Sequence, residues 1–167
     1  RDRVLYNSWT KAETTNDSCT AFPALTVLAS SWNMELASQY GQALSEEANY
    51  REKDVQLAPG VNIARTPLNG RNFEYISEDP LLTGKMGAAQ IIGLGIAGST
   101  GTIKHFSTNN QEAHRHEVEA VVSVRALREI YFRGYEISVK EGQARSVMTT
   151  YGPMNGLWTS GNYDLNT

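Results

Sequence analysis

Runs of apolar and polar positions divide the chain into alternating short extended and longer periodic segments. Ala24-Leu25-Thr26-Val27-Leu28-Ala29 is an apolar run of strand length. Asn33 then caps a helix with Glu35 in its first turn, and Leu36, Ala37, Tyr40, Leu44 and Ala48 recur along one stripe. Extended segments follow at Val55-Gln56-Leu57 and, past Pro59-Gly60, at Val61-Asn62-Ile63. From about Ala64 to Glu78 no helical period exists, and connections of that length inside a domain are often functional. Asp79-Pro80, an N-cap followed by proline at the first helical position, opens a second helix with Leu82, Met86, Ala89 and Gly93 on one face. Thr100 to Phe106 reads as a strand. Ser123 caps a third helix with Leu127, Ile130, Tyr131 and Gly134 as its buried stripe, and Gly142 ends it. Ala144 to Thr150 is the last strand.

The expected order is therefore strand, helix, strand, helix, strand, helix, strand. Strands separated by helices run parallel, because each crossover returns the chain to the same end of the sheet. Strand starts lie roughly 30 to 45 residues apart, a spacing that suits βαβ units. The fold class is α/β, either an open doubly wound sheet or a slice of a barrel. A complete eight-stranded barrel takes ~250 residues, whereas this chain has 167.

Charge and composition remove several functions. Fifteen Lys and Arg against eighteen Asp and Glu give a net charge of −3, and neither sign forms a block, which argues against nucleic-acid binding through a basic face. No apolar run reaches the ~20 residues of a membrane helix. Arg1-Asp2-Arg3 is no signal peptide, so the sequence leaves localisation open. A single cysteine, Cys19, excludes an internal disulfide framework and a cysteine-built zinc site.

Several constellations could carry chemistry. Gly93-Leu94-Gly95-Ile96-Ala97-Gly98 spells a dinucleotide fingerprint, but that motif requires a strand before it and a helix after it, and here the order is reversed. It reads as a turn, with no nucleotide cofactor. His114 and His116, with Glu112 and Glu117 nearby, could ligate zinc from one face of a strand, or simply belong to a solvated polar loop. Lys104-His105 stands at the end of an expected strand, and strand C-termini face the active site in a parallel barrel. Tyr151 occupies the equivalent end of the next strand, as a site residue or as an aromatic plug. Arg71, in the long connection, could fork onto neighbouring hydroxyls or pair with Glu74 or Glu78.

Taken in order, these pieces resemble the N-terminal barrel domain of glycoside hydrolase family 3, the β-glucosidase and β-xylosidase family. The resemblance runs through Ala21-Phe22-Pro23, Leu28 to Asn33, Leu57-Ala58-Pro59-Gly60-Val61-Asn62-Ile63, Asn69-Gly70-Arg71-Asn72-Phe73-Glu74-Tyr75 and Glu78-Asp79-Pro80. It continues through Ile103-Lys104-His105-Phe106, Asn109-Asn110-Gln111-Glu112 with Arg115, Ser123 to Tyr131, and Val147-Met148-Thr149-Thr150-Tyr151. It implies a partial (β/α)8 barrel of about four parallel strands with alternating helices over residues 1–167. It also implies a retaining β-glycosidase acting on β-linked oligosaccharides or glycosides without a metal or organic cofactor. Carried over by position, it places Arg71, Lys104, His105, Arg115 and Tyr151 around the first-subsite sugar, Met148 as an apolar wall, and Arg1 in the same pocket. It sets the family's Asp-Gly-Pro before Arg1 and the nucleophilic aspartate beyond Thr167, with the acid/base residue in a second α/β domain. The chain is thus expected to supply part of the glycone subsite and neither catalytic group. A non-catalytic sugar-binding or assembly fragment is the alternative, with a metal-dependent hydrolase using His114 and His116 behind it. Gly152 departs from the family, which usually has asparagine there, and the Gly95 to Gly101 turn is also atypical.

Overall fold

The structure, a computed structural model, describes residues 19–167. Where the apolar run at 24–29 is expected to be a strand, Leu25–Ala29 is a helix, α1. Leu25, Leu28 and Ala29 are buried while Val27 is 61% exposed, so the run buries one helical stripe. Apolar runs this short fit either period, and packing decides between them. Here three side chains reach the core as a single turn.

Helix α2, Met34–Tyr50, starts where expected: the Asn33 side chain accepts from the Leu36 amide at 3.0 Å. Ala37 and Ala48 of the expected stripe are buried, but Gly41 and Ser45 complete it and Leu36 is exposed. The cause is the close approach of α2 to helix α3, Pro80–Ile96. A Cβ on Gly41 would fall on the Gln90 carbonyl oxygen, and one on Gly93 on the Ser38 carbonyl oxygen. Such backbone-to-backbone packing admits only small residues. Helix α3 is capped by Asp79, whose carboxylate accepts from the Leu82 amide at 2.6 Å, and Pro80 stands in its first turn. Gly93 to Gly98 is the last turn of α3 and the bend after it, with Gly98 at φ +96°. A helix precedes that glycine run and a strand follows, as expected.

Three parallel strands form the sheet, in the order β1 (Val55–Gln56), β2 (Thr100–Phe106) and β3 (Ser146–Thr149). The sheet has three strands where about four are expected, because the first expected strand is α1. Val55 pairs with Thr100, and Ile103 and Lys104 pair with Val147 and Met148. Beyond β1, Gly60 bridges both Lys104 and Tyr75, and the Val61 amide donates to the Lys104 carbonyl at 2.8 Å. The end of β2 thereby meets both the segment after β1 and the long 64–78 connection. Lys104-His105 and Phe106-Ser107 are cis peptides, and the β2–β3 register shifts between Lys104 and Phe106.

The third helical region begins at Ser123, whose hydroxyl accepts from the Ala126 amide. It runs as α4 (Val124–Ala126), a π turn (Leu127–Tyr131) and α5 (Arg133–Lys140). Leu127, Tyr131 and Gly134 are buried as expected, while Ile130 is partly exposed. After β3 a small hairpin, β4 (Pro153–Met154) with β5 (Leu157–Trp158), leads to α6 (Tyr163–Asn166). The main core joins Leu25, Leu28, Val61, Ile76, Met86, Ile91 and Ile103 between helices and sheet. Leu127, Tyr131 and Met154 form a second cluster beneath the hairpin.

Candidate functional site

The C-terminal ends of β2 and β3 and the connections beside them gather a continuous charged chain. Lys104 Nζ lies 2.9 Å from one Glu74 carboxylate oxygen, and Arg71 Nε donates to the other. Arg71 also reaches Glu112 at 3.6 Å, and Glu112 pairs with Arg115 at 3.2 Å. The Arg115 guanidinium sits over the Tyr151 ring, 5.0 Å from its centroid, in cation–π geometry. Arg71, Lys104, Arg115 and Tyr151, from four separate stretches, are thus linked side chain to side chain. The site is neither sealed nor free: the three cations and two carboxylates keep between 14% and 30% of their side-chain surface in solvent.

His105 lies behind this chain. The Tyr75 hydroxyl meets its Nδ1 at 3.1 Å, and the Asn62 side chain holds its backbone, donating to the His105 carbonyl at 2.9 Å. Burial, and then the nearby Arg71 and Lys104 cations, push the imidazole down to about 3, so at neutral pH it carries no charge. Burial pushes the Tyr75 phenol upward. Burial would also raise the Glu74 carboxyl, but hydrogen bonds from Arg71 and Lys104, with their charges, outweigh it and hold Glu74 below the usual carboxylate range.

Met148 stands in register with Lys104 on the neighbouring strand, half-buried. Arg1 lies outside the described residues. The two histidines considered as zinc ligands do not converge. His114 faces Glu117 at 3.5 Å with both exposed, whereas the His116 ring lies against Tyr151 with centroids 4.9 Å apart. Among the described residues no group of three or more His, Cys, Asp or Glu is placed to share a metal. Gly152 has a structural reason to depart from asparagine: a Cβ there would lie 2.7 Å from the Val118 carbonyl oxygen.

Four residues of the assembly were not singled out as site residues on sequence grounds: Glu74, Tyr75, Asn109 and Glu112. Their sequence signals were their place in segments that carry the family resemblance and, for Glu74, the expected pairing with Arg71. Each carboxylate joins two of the cations, which single-residue reading does not reveal. Together the groups offer cationic donors, one neutral imidazole and two carboxylate acceptors on a partly open surface. That set suits a neutral polyhydroxylated ligand, whose hydroxyls accept from the cations and donate to the carboxylates.

The sequence profile of the Glycosyl hydrolase family 3 N terminal domain matches residues 11–165. The chain belongs to this family. It is 54% identical over 147 residues to a β-glucosidase of Ruminococcus albus, a match covering 88% of this chain and 16% of that enzyme. A solved β-glucosidase of Paenibacillus barengoltzii is 54% identical with a TM-score of 0.84, covering 87% of this chain and 16% of that one. β-Glucosidase 3B of Thermotoga neapolitana in complex with α-D-glucose is 48% identical with a TM-score of 0.86, covering 92% and 22%. The chain therefore spans between 16% and 22% of the length of these relatives.

Proposed function

We propose that this chain supplies part of the glycone-binding subsite of a retaining β-glucosidase or related β-glycosidase. Its parallel strands and alternating helices would be one section of a (β/α)8 barrel. Arg71, Lys104, His105 and Arg115 hydrogen-bond the sugar hydroxyls in this reading, with Tyr151 and Met148 as walls. The observation that carries it is the side-chain linkage of Lys104, Glu74, Arg71, Glu112, Arg115 and Tyr151 at one end of the sheet.

In a retaining glycosidase one carboxylate attacks the anomeric carbon and a second group protonates the departing oxygen. We assign neither role to a residue of this chain. The work of the chain is positioning: fixed donors hold the sugar ring so that its anomeric carbon faces the nucleophile, which removes most of the orientational entropy of that step. The three cations exceed the two carboxylates by one charge. That excess favours an ionised nucleophile nearby.

A chimera tests this reading. The Ruminococcus albus β-glucosidase is rebuilt with this chain in place of its matching 147-residue stretch. The chimera is expected to hydrolyse an aryl β-glucoside and to lose that activity with Lys104→Met, while the 167-residue chain by itself shows no turnover. Turnover by the isolated chain, or full activity in the Lys104→Met chimera, contradicts the assignment.

A further inference from the structure

The hydrogen bonds behind Lys104 determine which nitrogen of His105 carries its proton. Asn109 donates from Nδ2 to the Tyr75 hydroxyl oxygen at 2.6 Å and to a Glu112 carboxylate oxygen at 3.2 Å. Glu112 is ion-paired with Arg71 and Arg115 and has no hydrogen to offer. A flipped carboxamide would set its oxygen against that carboxylate, two acceptors facing each other, so the amide nitrogen must lie on this side. Both of its hydrogens are then used, and the Tyr75 oxygen is an acceptor toward Asn109. The Tyr75 hydrogen needs another acceptor, because the side chain is fully buried and an unmade bond there is costly. The other hydrogen-bond partner of that hydroxyl among the described residues is His105 Nδ1, at 3.1 Å.

We propose that Asn109 and Tyr75 are positioning residues that lock His105 as the neutral Nε2–H tautomer, so that the imidazole presents one donor and no acceptor beside the Lys104 ammonium. The suppressed basicity of the buried ring agrees with this, since a protonated imidazole could not accept from Tyr75. Nε2 has no partner among the described residues. Building on the glycone reading, the pair Lys104 and His105 offers donors only, and Glu74 beside them supplies the acceptor. A sugar hydroxyl at His105 must turn a lone pair toward the ring and send its hydrogen elsewhere. An equivalent site with the opposite tautomer would demand the reverse.

The experiment is a long-range proton–nitrogen correlation spectrum of the 167-residue chain labelled in its histidine rings, recorded without sugar from about pH 7 to about pH 5. Three imidazoles are present, and His105→Gln identifies the signal of interest. The expected result is that the His105 ring shows a bare Nδ1 and a protonated Nε2 and does not titrate over that range. In Tyr75→Phe the Nδ1 of that ring loses its donor, and its signal moves toward a mixture of tautomers. An Nδ1–H ring at His105, titration of that ring over this range, or an unchanged tautomer in a folded Tyr75→Phe variant would overturn the proposal. Should Tyr75→Phe not fold, the unsubstituted spectrum decides alone. Adding glucose afterwards tests the other reading: an Nε2–H ring in a chain that ignores glucose refutes the sugar site and leaves the tautomer assignment standing.

Discussion

Glu74 and Lys104 meet at 2.9 Å although thirty residues of sequence, a whole helix and a turn separate them. The contact exists because Gly60 bridges both the Tyr75 backbone and the Lys104 backbone, which draws the long connection against the end of β2. A Cβ on Gly60 would collide with the Tyr75 ring and the Glu74 carbonyl oxygen. The absent side chain is what allows the two carriers of charge to approach.

Replacing Glu74 with glutamine removes the negative charge from between Arg71 and Lys104 and leaves two part-buried cations facing each other. Unfolding in urea is expected to show a loss of about 1–3 kcal/mol, the scale of hydrogen bonds to charged partners. An unchanged midpoint would show that solvent already screens the pair.

Acid should weaken the fold through His105 before it does so through the carboxylates. The folded imidazole is held at about 3, against 6.5 when unfolded, so between those values the unfolded chain binds the extra proton. The stability from keeping the ring neutral is complete above about pH 6.5 and declines as pH falls toward about 3. Glu74, whose folded carboxyl is also depressed, adds a loss in the same direction at lower pH. Urea midpoints should drop between about pH 7 and about pH 5, and this slope should flatten in His105→Gln. Equal slopes in the two proteins would contradict the buried neutral ring.

Two glycines of α3 should respond in opposite ways according to what faces them. Gly93→Ala forces a methyl group onto the Ser38 carbonyl and is expected to cost about 1–3 kcal/mol or more. Gly95, two residues on, has open space around it, so Gly95→Ala should stabilise by up to about 1 kcal/mol through reduced freedom of the unfolded chain. Thermal melts of the two variants distinguish a packing glycine from a merely tolerated one.

Caps and strand ends were legible in the sequence because they rest on local chemistry. Asn33, Asp79 and Ser123 cap the helices they were expected to cap, and Thr100–Phe106 is a strand over the expected residues. Two readings failed where tertiary packing decides. The 24–29 run satisfied a strand pattern as well as a helical one, and only its neighbours made it a helix. In the stripe of α2, Ala37 and Ala48 are buried as expected and Tyr40 packs against the core, but Leu36 is exposed and the approach of α3 buries Gly41 and Ser45 instead. At the site, the cations were visible as types known to bind hydroxyls, and the family resemblance singled them out. The Arg71–Glu74 pair was among the partners expected for Arg71, but the links from Glu74 to Lys104 and from Arg71 to Glu112 were not legible, since thirty and forty-one residues separate them and nothing local joins them.

Whether these separated segments form one sugar-binding surface is decided by titrating the isotopically labelled 167-residue chain with glucose and mapping which backbone and side-chain signals move. Perturbations are expected only at Arg71, Lys104, His105, Arg115, Met148, Tyr151 and their immediate neighbours, and should vanish in Lys104→Met. Perturbations centred on the outer faces of α3 and α5, or none in a folded chain at saturating sugar, would contradict such a surface.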